Sequence, residues 1–156
     1  MTKDEYTSFL GEVRKLTQLE MFVPDETGLV SVRVDNTYTL SLQFLAETSK
    51  ILCFVEVATL SSETPKEVYR SLLAAGLFGK ETAGGYFAIE DESGTLIYNY
   101  FFDGDVAAKV PGKFVASLEN ILQICDMWAN TLKEGKKTEK DETSWVFNNV
   151  GSFMRA

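Results

Sequence analysis

The residues of this sequence that could take part in catalysis or metal binding are clustered carboxylates. Asp103–Asp105 places two carboxylates around a glycine, but a calcium loop needs more oxygen ligands at regular spacing and a terminal Glu. Glu90–Glu92 could supply paired carboxylates for acid–base chemistry. The second cluster falls at a hairpin turn, where charged side chains are ordinarily solvated. We therefore interpret both clusters as turns.

Phosphate binding and nucleophilic catalysis are also disfavoured. The glycines of residues 79–85 lie after a helix and before a strand, whereas a phosphate loop requires GxxxxGK[ST] after a strand and before a helix. Cys53 and Cys125 lie in apolar runs without a nearby base, which is typical of core cysteines. The chain has no histidine, so the commonest general base is missing. We predict a protein that is not an enzyme, with no catalytic residues, metal or cofactor.

Charge and composition limit the possible partners and the location of the protein. The 156 residues include 15 basic and 23 acidic side chains, a net charge of -8. That balance argues against nucleic-acid binding and against an anionic membrane surface. The N-terminal residues lack a signal-peptide pattern, and no apolar run approaches the ~18 residues of a membrane span. We expect a cytoplasmic protein without membrane insertion.

Apolar periodicity predicts the order helix, three strands, helix, two strands, helix. An amphipathic helix is predicted over residues 3–19, with Thr2 and Glu5 as a capping box. Thr64 as N-cap and Pro65 as first helical residue predict the start of the second helix. The short links between strands require antiparallel pairing. The expected fold is therefore α+β, an antiparallel sheet of about five strands with three helices.

The last predicted helix, about residues 112–133, has an apolar face that is broader than one small sheet needs. A helix with surplus apolar surface often contacts a second copy of the chain. We predict a homodimer whose interface lies on this face. The predicted interface residues are Phe114, Leu118, Ile121, Leu122, Cys125 and Trp128.

Two strands carry large apolar residues on both faces. On the third strand, Cys53 and Val55 are expected to point to the core, which leaves Leu52 and Phe54 on the opposite face. The fifth strand repeats this pattern. Either the helices of the domain cover the sheet on both sides, or the sheet exposes an apolar patch of the kind that binds polypeptides.

The chain changes character after the last predicted helix. We predict a domain over residues 1–133, followed by a charged linker and an amphipathic tail over residues 134–156. The linker, Lys133–Glu142, holds four positive and four negative charges and no apolar residue. Apolar residues return at Trp145–Met154. This tail either docks on the domain or occupies a partner groove, its own or that of a neighbouring copy.

The sequence resembles the class I type III secretion chaperones, the family that includes the chaperone of the translocated intimin receptor. The resemblance covers about residues 5–133 and is strongest in SLLAAGLFGKETAGGYFAIEDESGTLIY and ILQICDMWANTL. The matching features are a Leu-Leu pair, a Gly-Gly before a strand, a glycine in the hairpin turn and a tryptophan in the last helix. They are Leu72, Leu73, Gly84, Gly85, Gly94 and Trp128. Gly76, where many members have Asn, departs from the pattern.

The resemblance implies a non-catalytic homodimer that binds the N-terminal region of a secreted effector and keeps it soluble and export-competent. Apolar effector side chains would enter surface grooves, and the effector backbone could add a strand to a sheet edge. The predicted partner-binding residues are Phe9, Leu10, Val13, Leu52, Phe54, Tyr98 and Tyr100. The alternative is a regulatory or sensory protein-binding domain of the same fold without a role in secretion.

Overall fold

The computed structural model describes residues 1–138, with side chains as far as residue 134. Within that part of the chain, the elements follow the predicted order, with a short 3₁₀ turn (η1) and a short helix (α3) added. The elements are α1 (Lys3–Thr17), β1 (Leu29–Val34), β2 (Tyr38–Leu45), β3 (Lys50–Thr59), α2 (Lys66–Ala75), η1 (Leu77–Gly79), β4 (Tyr86–Glu90), β5 (Thr95–Asp103), α3 (Gly104–Lys109) and α4 (Pro111–Thr138). The predicted α+β class and antiparallel pairing are confirmed.

The five strands form one antiparallel sheet in the order β1-β2-β3-β5-β4. Strands β1, β2 and β3 form a meander through short turns. The β4–β5 hairpin then adds to β3 through β5, so β3 is the central strand. Strands β1 and β4 form the two edges of the sheet.

Capping explains where the helices begin, with one departure from the sequence prediction. The Thr2 hydroxyl accepts from the Glu5 backbone N–H, and the Glu5 carboxylate accepts from the Thr2 N–H, so the predicted capping box is present. At α2 the N-cap is Pro65 and lacks a side-chain cap. The predicted cap, Thr64, instead accepts a hydrogen bond from the backbone N–H of Ser61 at 3.0 Å. That bond closes a turn before the helix, which is the competing role of a short hydroxyl side chain.

The end of β5 and the length of α4 also differ from the prediction. Asp103, predicted to be part of a plain turn, is the N-cap of α3, and its carboxylate accepts from the Val106 backbone N–H. Helix α4 continues to Thr138, beyond the predicted end at residue 133. The tail residues Trp145–Met154 lie outside the described residues.

The hydrophobic core lies between one face of the sheet and helices α1 and α4. The predicted inward residues of β3, Cys53 and Val55 among them, are fully buried. Tyr6 of α1 stacks on Phe44 of β2, with ring centroids 5.2 Å apart. Phe114 of α4 packs edge-on against Phe9 of α1 at 4.9 Å. We call this side of the sheet the core face and the other side the outer face.

Candidate polypeptide-binding surfaces

The outer face of the sheet carries five large apolar side chains in its central and β4 half. These residues, Leu52, Phe54, Tyr86, Ile97 and Phe101, are called the outer-face cluster. None of them belongs to the buried core cluster of the described chain. Strand register brings Leu52 beside Phe101, while Asn99 lies between Phe54 and Tyr86. The helices therefore cover one face only, and the expectation of an exposed patch is the one that fits the described residues.

Polar and charged side chains border this cluster. On the β1–β2 side, the Ser31 and Ser41 hydroxyls share a hydrogen bond of 2.9 Å. At the start of β3, the Lys50 ammonium lies over the Phe101 ring, 5.8 Å from its centroid. The outer face thus has an apolar part on β3, β5 and β4 and a polar part on β1 and β2. This division fits a partner segment that places apolar residues over the first part and polar residues over the second.

Only two of the seven predicted partner-binding residues lie on the outer face. Leu52 and Phe54 are half-buried there, as predicted. The other five side chains are on the core side. Tyr98 is fully buried and Tyr100 is half-buried beside it, and Phe9, Leu10 and Val13 of α1 are buried against the sheet. The four buried side chains are closed to a partner in the folded domain, whereas Tyr100 is partly accessible.

The six predicted dimer residues face the sheet of their own chain. Trp128 contacts Phe87 of β4 with ring centroids 5.3 Å apart, and Phe114 contacts Phe102 of β5 at 4.6 Å. Leu118, Ile121 and Cys125 are buried in the same core and Leu122 is half-buried against it. The broad apolar stripe of α4 is thus used within the protomer, because both α1 and the sheet pack on it.

A second exposed apolar surface lies at the end of α2 and was missed by sequence reasoning. We call it the α2–η1 surface, formed by Leu73, Leu77 and Phe78. Their exposed fractions are 80%, 60% and 91%. Phe78 also has a positive φ of 59°, which is uncommon for an aromatic residue and is found where strain serves a function. The available signal was the apolar pair Leu77–Phe78 between Gly76 and Gly79, in a turn that small and polar residues normally fill.

An acidic groove of about 700 Å³ separates α1 from α3. Asp4, Glu12 and Asp105 line it, together with Ala108 and Pro111. The terminal ammonium of Met1 donates to the Asp105 carboxylate and holds the pKa of that carboxyl below its usual range. The lining carboxylates, with Glu5 included, outnumber its two cations, Lys109 and the terminal ammonium, in agreement with the acidic balance of the whole chain.

The thiols lack the features of catalytic groups. Burial raises the pKa of Cys53, and it raises the pKa of Cys125 to about 12, so both are protonated and inert near neutral pH. Among the residues with described side chains, no group of three or more acidic or cysteine residues could hold a metal ion. Within residues 1–138, no helix is both long and apolar enough to cross a bilayer.

Three solved complexes contain a chain with the same fold. A chain of the crystal structure of the ExsC–ExsE complex matches with a TM-score of 0.71 and 20% identity, covering 85% of this chain and 97% of that one. A chain of the HopA1–SchA chaperone–effector complex matches with a TM-score of 0.64 and 18% identity, covering 85% and 95%. The Yersinia pestis type III secretion chaperone SycH, in complex with a fragment of YscM2, matches with a TM-score of 0.55 and 16% identity, covering 76% and 98%. At these identities the likeness shows the fold.

The sequence itself identifies the family. No curated protein matches the chain. The model of the Tir chaperone protein (CesT) family matches residues 8–128, which is most of the sequence and includes most of α1, the whole sheet and most of α4. Members of this family are chaperones without catalytic activity. The chain therefore belongs to the Tir chaperone protein (CesT) family of type III secretion chaperones.

Proposed function

We propose that this protein binds the N-terminal region of a secreted effector and keeps that region soluble and competent for export. The observation that carries the proposal is the outer-face cluster, a contiguous apolar surface that the helices of the domain leave uncovered. Family membership and the resemblance of the fold to chaperone–effector complexes support it. The net charge of -8 disfavours nucleic acid as the partner.

Binding at this face stabilises an unfolded client segment through apolar contact. Client side chains at alternate positions reach Leu52, Phe54 and Phe101, which are adjacent across β3 and β5. The edge strand β1 pairs with β2 along one side only in the described chain, so its other side is available to an extended client backbone. Ordering the client costs chain entropy, and burying its apolar side chains offsets that cost.

We further propose a cytoplasmic homodimer whose interface includes the α2–η1 surface rather than the apolar stripe of α4. Leu73 and Phe78 are more exposed to solvent than any residue of the outer-face cluster. They lie near the edge strand β4, since α2 contacts that strand. A second copy would bury both the exposed side chains and the open edge, which is how oligomers remove such liabilities.

The test is affinity capture of the protein from its source cells, with the bound polypeptides identified and their protected segments mapped by limited proteolysis. The variant Leu52→Asp with Phe54→Asp places two charges in the outer-face cluster. We expect it to lose roughly tenfold or more of the captured client, because a charge in a desolvated contact is costly. The control variant, Val106→Asp with Met127→Asp, adds the same charges at exposed apolar positions outside the cluster and is expected to retain the client.

Three outcomes would contradict the proposal. An unfolded Leu52/Phe54 variant, seen by circular dichroism, would place these residues in the core. Equal loss of client from both variants would remove the assignment to the outer face. Absence of any enriched polypeptide, in cells that express secreted effectors, would favour a regulatory domain of the same fold.

A further inference from the structure

We propose that residues 145–154 of this chain occupy its own outer-face cluster when no client is bound, so that the tail acts as a built-in substitute for the client. The proposal rests on the proposed function in one respect only: it takes the outer face to be the client surface. The occupancy itself is measured without any client.

The composition of residues 145–154 matches the surface they would cover. The segment reads WVFNNVGSFM and contains six large apolar side chains and no charged residue. The outer-face cluster is likewise apolar except for Asn99 between Phe54 and Tyr86, and the exposed Glu56 lies at its border beside Ile97. An uncharged segment covers it without the desolvation penalty that a buried ion would incur. The asparagines of the segment offer amide groups that can pair with the side chain of Asn99.

The path of the chain allows this contact. Contact between Trp128 and Phe87 places α4 beside the edge strand β4, with ring centroids 5.3 Å apart. Residues 139–144, which connect the described end of α4 to the segment, span at most about 22 Å when extended, and the segment itself adds up to about 35 Å. Crossing the β4 edge requires passing packed layers about 10 Å apart and strands about 4.8 Å apart. The chain is therefore long enough to reach Tyr86 and Phe101 from α4.

Residues 139–142, EKDE, follow the described end of α4 and fit the role of a spacer. Their one positive and three negative charges are costly to bury. A tethered segment also competes at a high effective concentration, on the order of millimolar for a short linker. A client then binds only the fraction of molecules whose tail has left the face, so tail occupancy lowers the apparent client affinity.

The test uses fluorine NMR on the full chain labelled with 5-fluorotryptophan. The sequence has two tryptophans, so the Trp145→Phe variant assigns the two resonances. We expect the Trp145 resonance to be shielded from a soluble paramagnetic relaxation agent in the parent protein. Leu52→Asp with Phe101→Asp should expose it, whereas Leu73→Asp with Phe78→Asp should leave it shielded. The shielding should not change on dilution, because the contact is within one chain.

A solvent-exposed Trp145 in the parent protein would overturn the proposal. Exposure caused by the Leu73/Phe78 variant alone would also overturn it, since the tail would then lie on the α2–η1 surface. Loss of shielding on dilution would assign the contact to a neighbouring copy instead. If circular dichroism shows that the Leu52→Asp, Phe101→Asp variant is unfolded, Phe101→Ser takes its place, because this change removes apolar area without adding a charge. Client capture by a chain ending at Thr138 tests the proposed function separately, because that chain lacks the tail.

Discussion

Three tyrosine hydroxyls bind partners where the sheet meets the helices and loops. The Tyr6 hydroxyl donates to the Leu42 carbonyl at 3.4 Å, and the Tyr38 hydroxyl donates to the Asp126 carboxylate at 2.8 Å. The Tyr98 hydroxyl donates to the Thr82 carbonyl at 2.5 Å. Burial raises the pKa of all three hydroxyls. Because burial disfavours the charged phenolate, the folded protein favours the neutral form of each hydroxyl.

The folded protein should therefore lose stability in alkaline solution, and the part of this loss that is due to Tyr38 can be measured. Burial, then the hydrogen bond and charge of Asp126, raise the pKa of Tyr38 from 10.0 to about 12. As pH rises, the unfolded chain releases the Tyr38 proton before the folded protein does. The stabilisation of the folded protein by neutral Tyr38 is therefore complete below pH 10 and is lost as pH rises from 10 to 12. Tyr38→Phe should lose less stability than the parent across that window in urea unfolding. Parallel stability curves for the two proteins would contradict the prediction.

At the scale of elements, a single glycine sets how closely the loop before β4 approaches β5. A Cβ atom on Gly85 would clash with the Tyr98 hydroxyl oxygen and would lie 2.7 Å from the Asn99 carbonyl oxygen. Tyr98 cannot retreat easily because it is fully buried and bonded to Thr82. This contact orients β4, whose Tyr86 begins the outer-face cluster.

Gly85→Ala should lower the free energy of unfolding by roughly 1–3 kcal/mol, the usual cost of overpacking a tight site. Gly112→Ala is the matched control, because nothing lies within 4 Å of the added Cβ in the first turn of α4. There we expect no loss, and a gain of up to about 1 kcal/mol from helix propensity. Chemical unfolding of both variants checks the pair. Equal effects would show that β4 moves freely relative to β5.

At the scale of the whole molecule, two exposed apolar surfaces serve different partners in our proposal. The outer-face cluster binds the client or the tail, and the α2–η1 surface binds a second copy. A net charge of -8 opposes non-specific association between copies that carry such surfaces. Specific association therefore depends on local apolar contacts strong enough to overcome this repulsion.

Leu73→Asp with Phe78→Asp should convert the dimer to a monomer, because two charges would be buried at the interface. Light scattering after size-exclusion chromatography measures the mass directly. Val106→Asp, at an exposed position on α3, serves as the control and should stay dimeric. A parent protein that is monomeric at all concentrations, or a variant that stays dimeric, would refute the assignment.

Much of the fold was predictable because it depends on local patterns. Alternation along β2 and β3 identified the core-facing residues, such as Leu42 and Cys53, and the capping box at Thr2 located the start of α1. Prediction failed at Thr64, where two local hydrogen-bonding roles compete. It was also incomplete for the candidate site: Leu52 and Phe54 lie on the outer face, while Phe9, Leu10 and Val13 of α1 are buried.

The sequence by itself determined the secondary structure, the antiparallel sheet and membership of a chaperone family, because periodicity, caps and short links act over neighbouring residues. Only the tertiary structure decided which apolar residues are left uncovered. The stripe of α4 and the side chain of Leu73 are equally apolar in sequence, yet α1 and the sheet cover the first and leave the second in solvent. That difference arises from contacts between residues far apart in the chain, which no local pattern encodes.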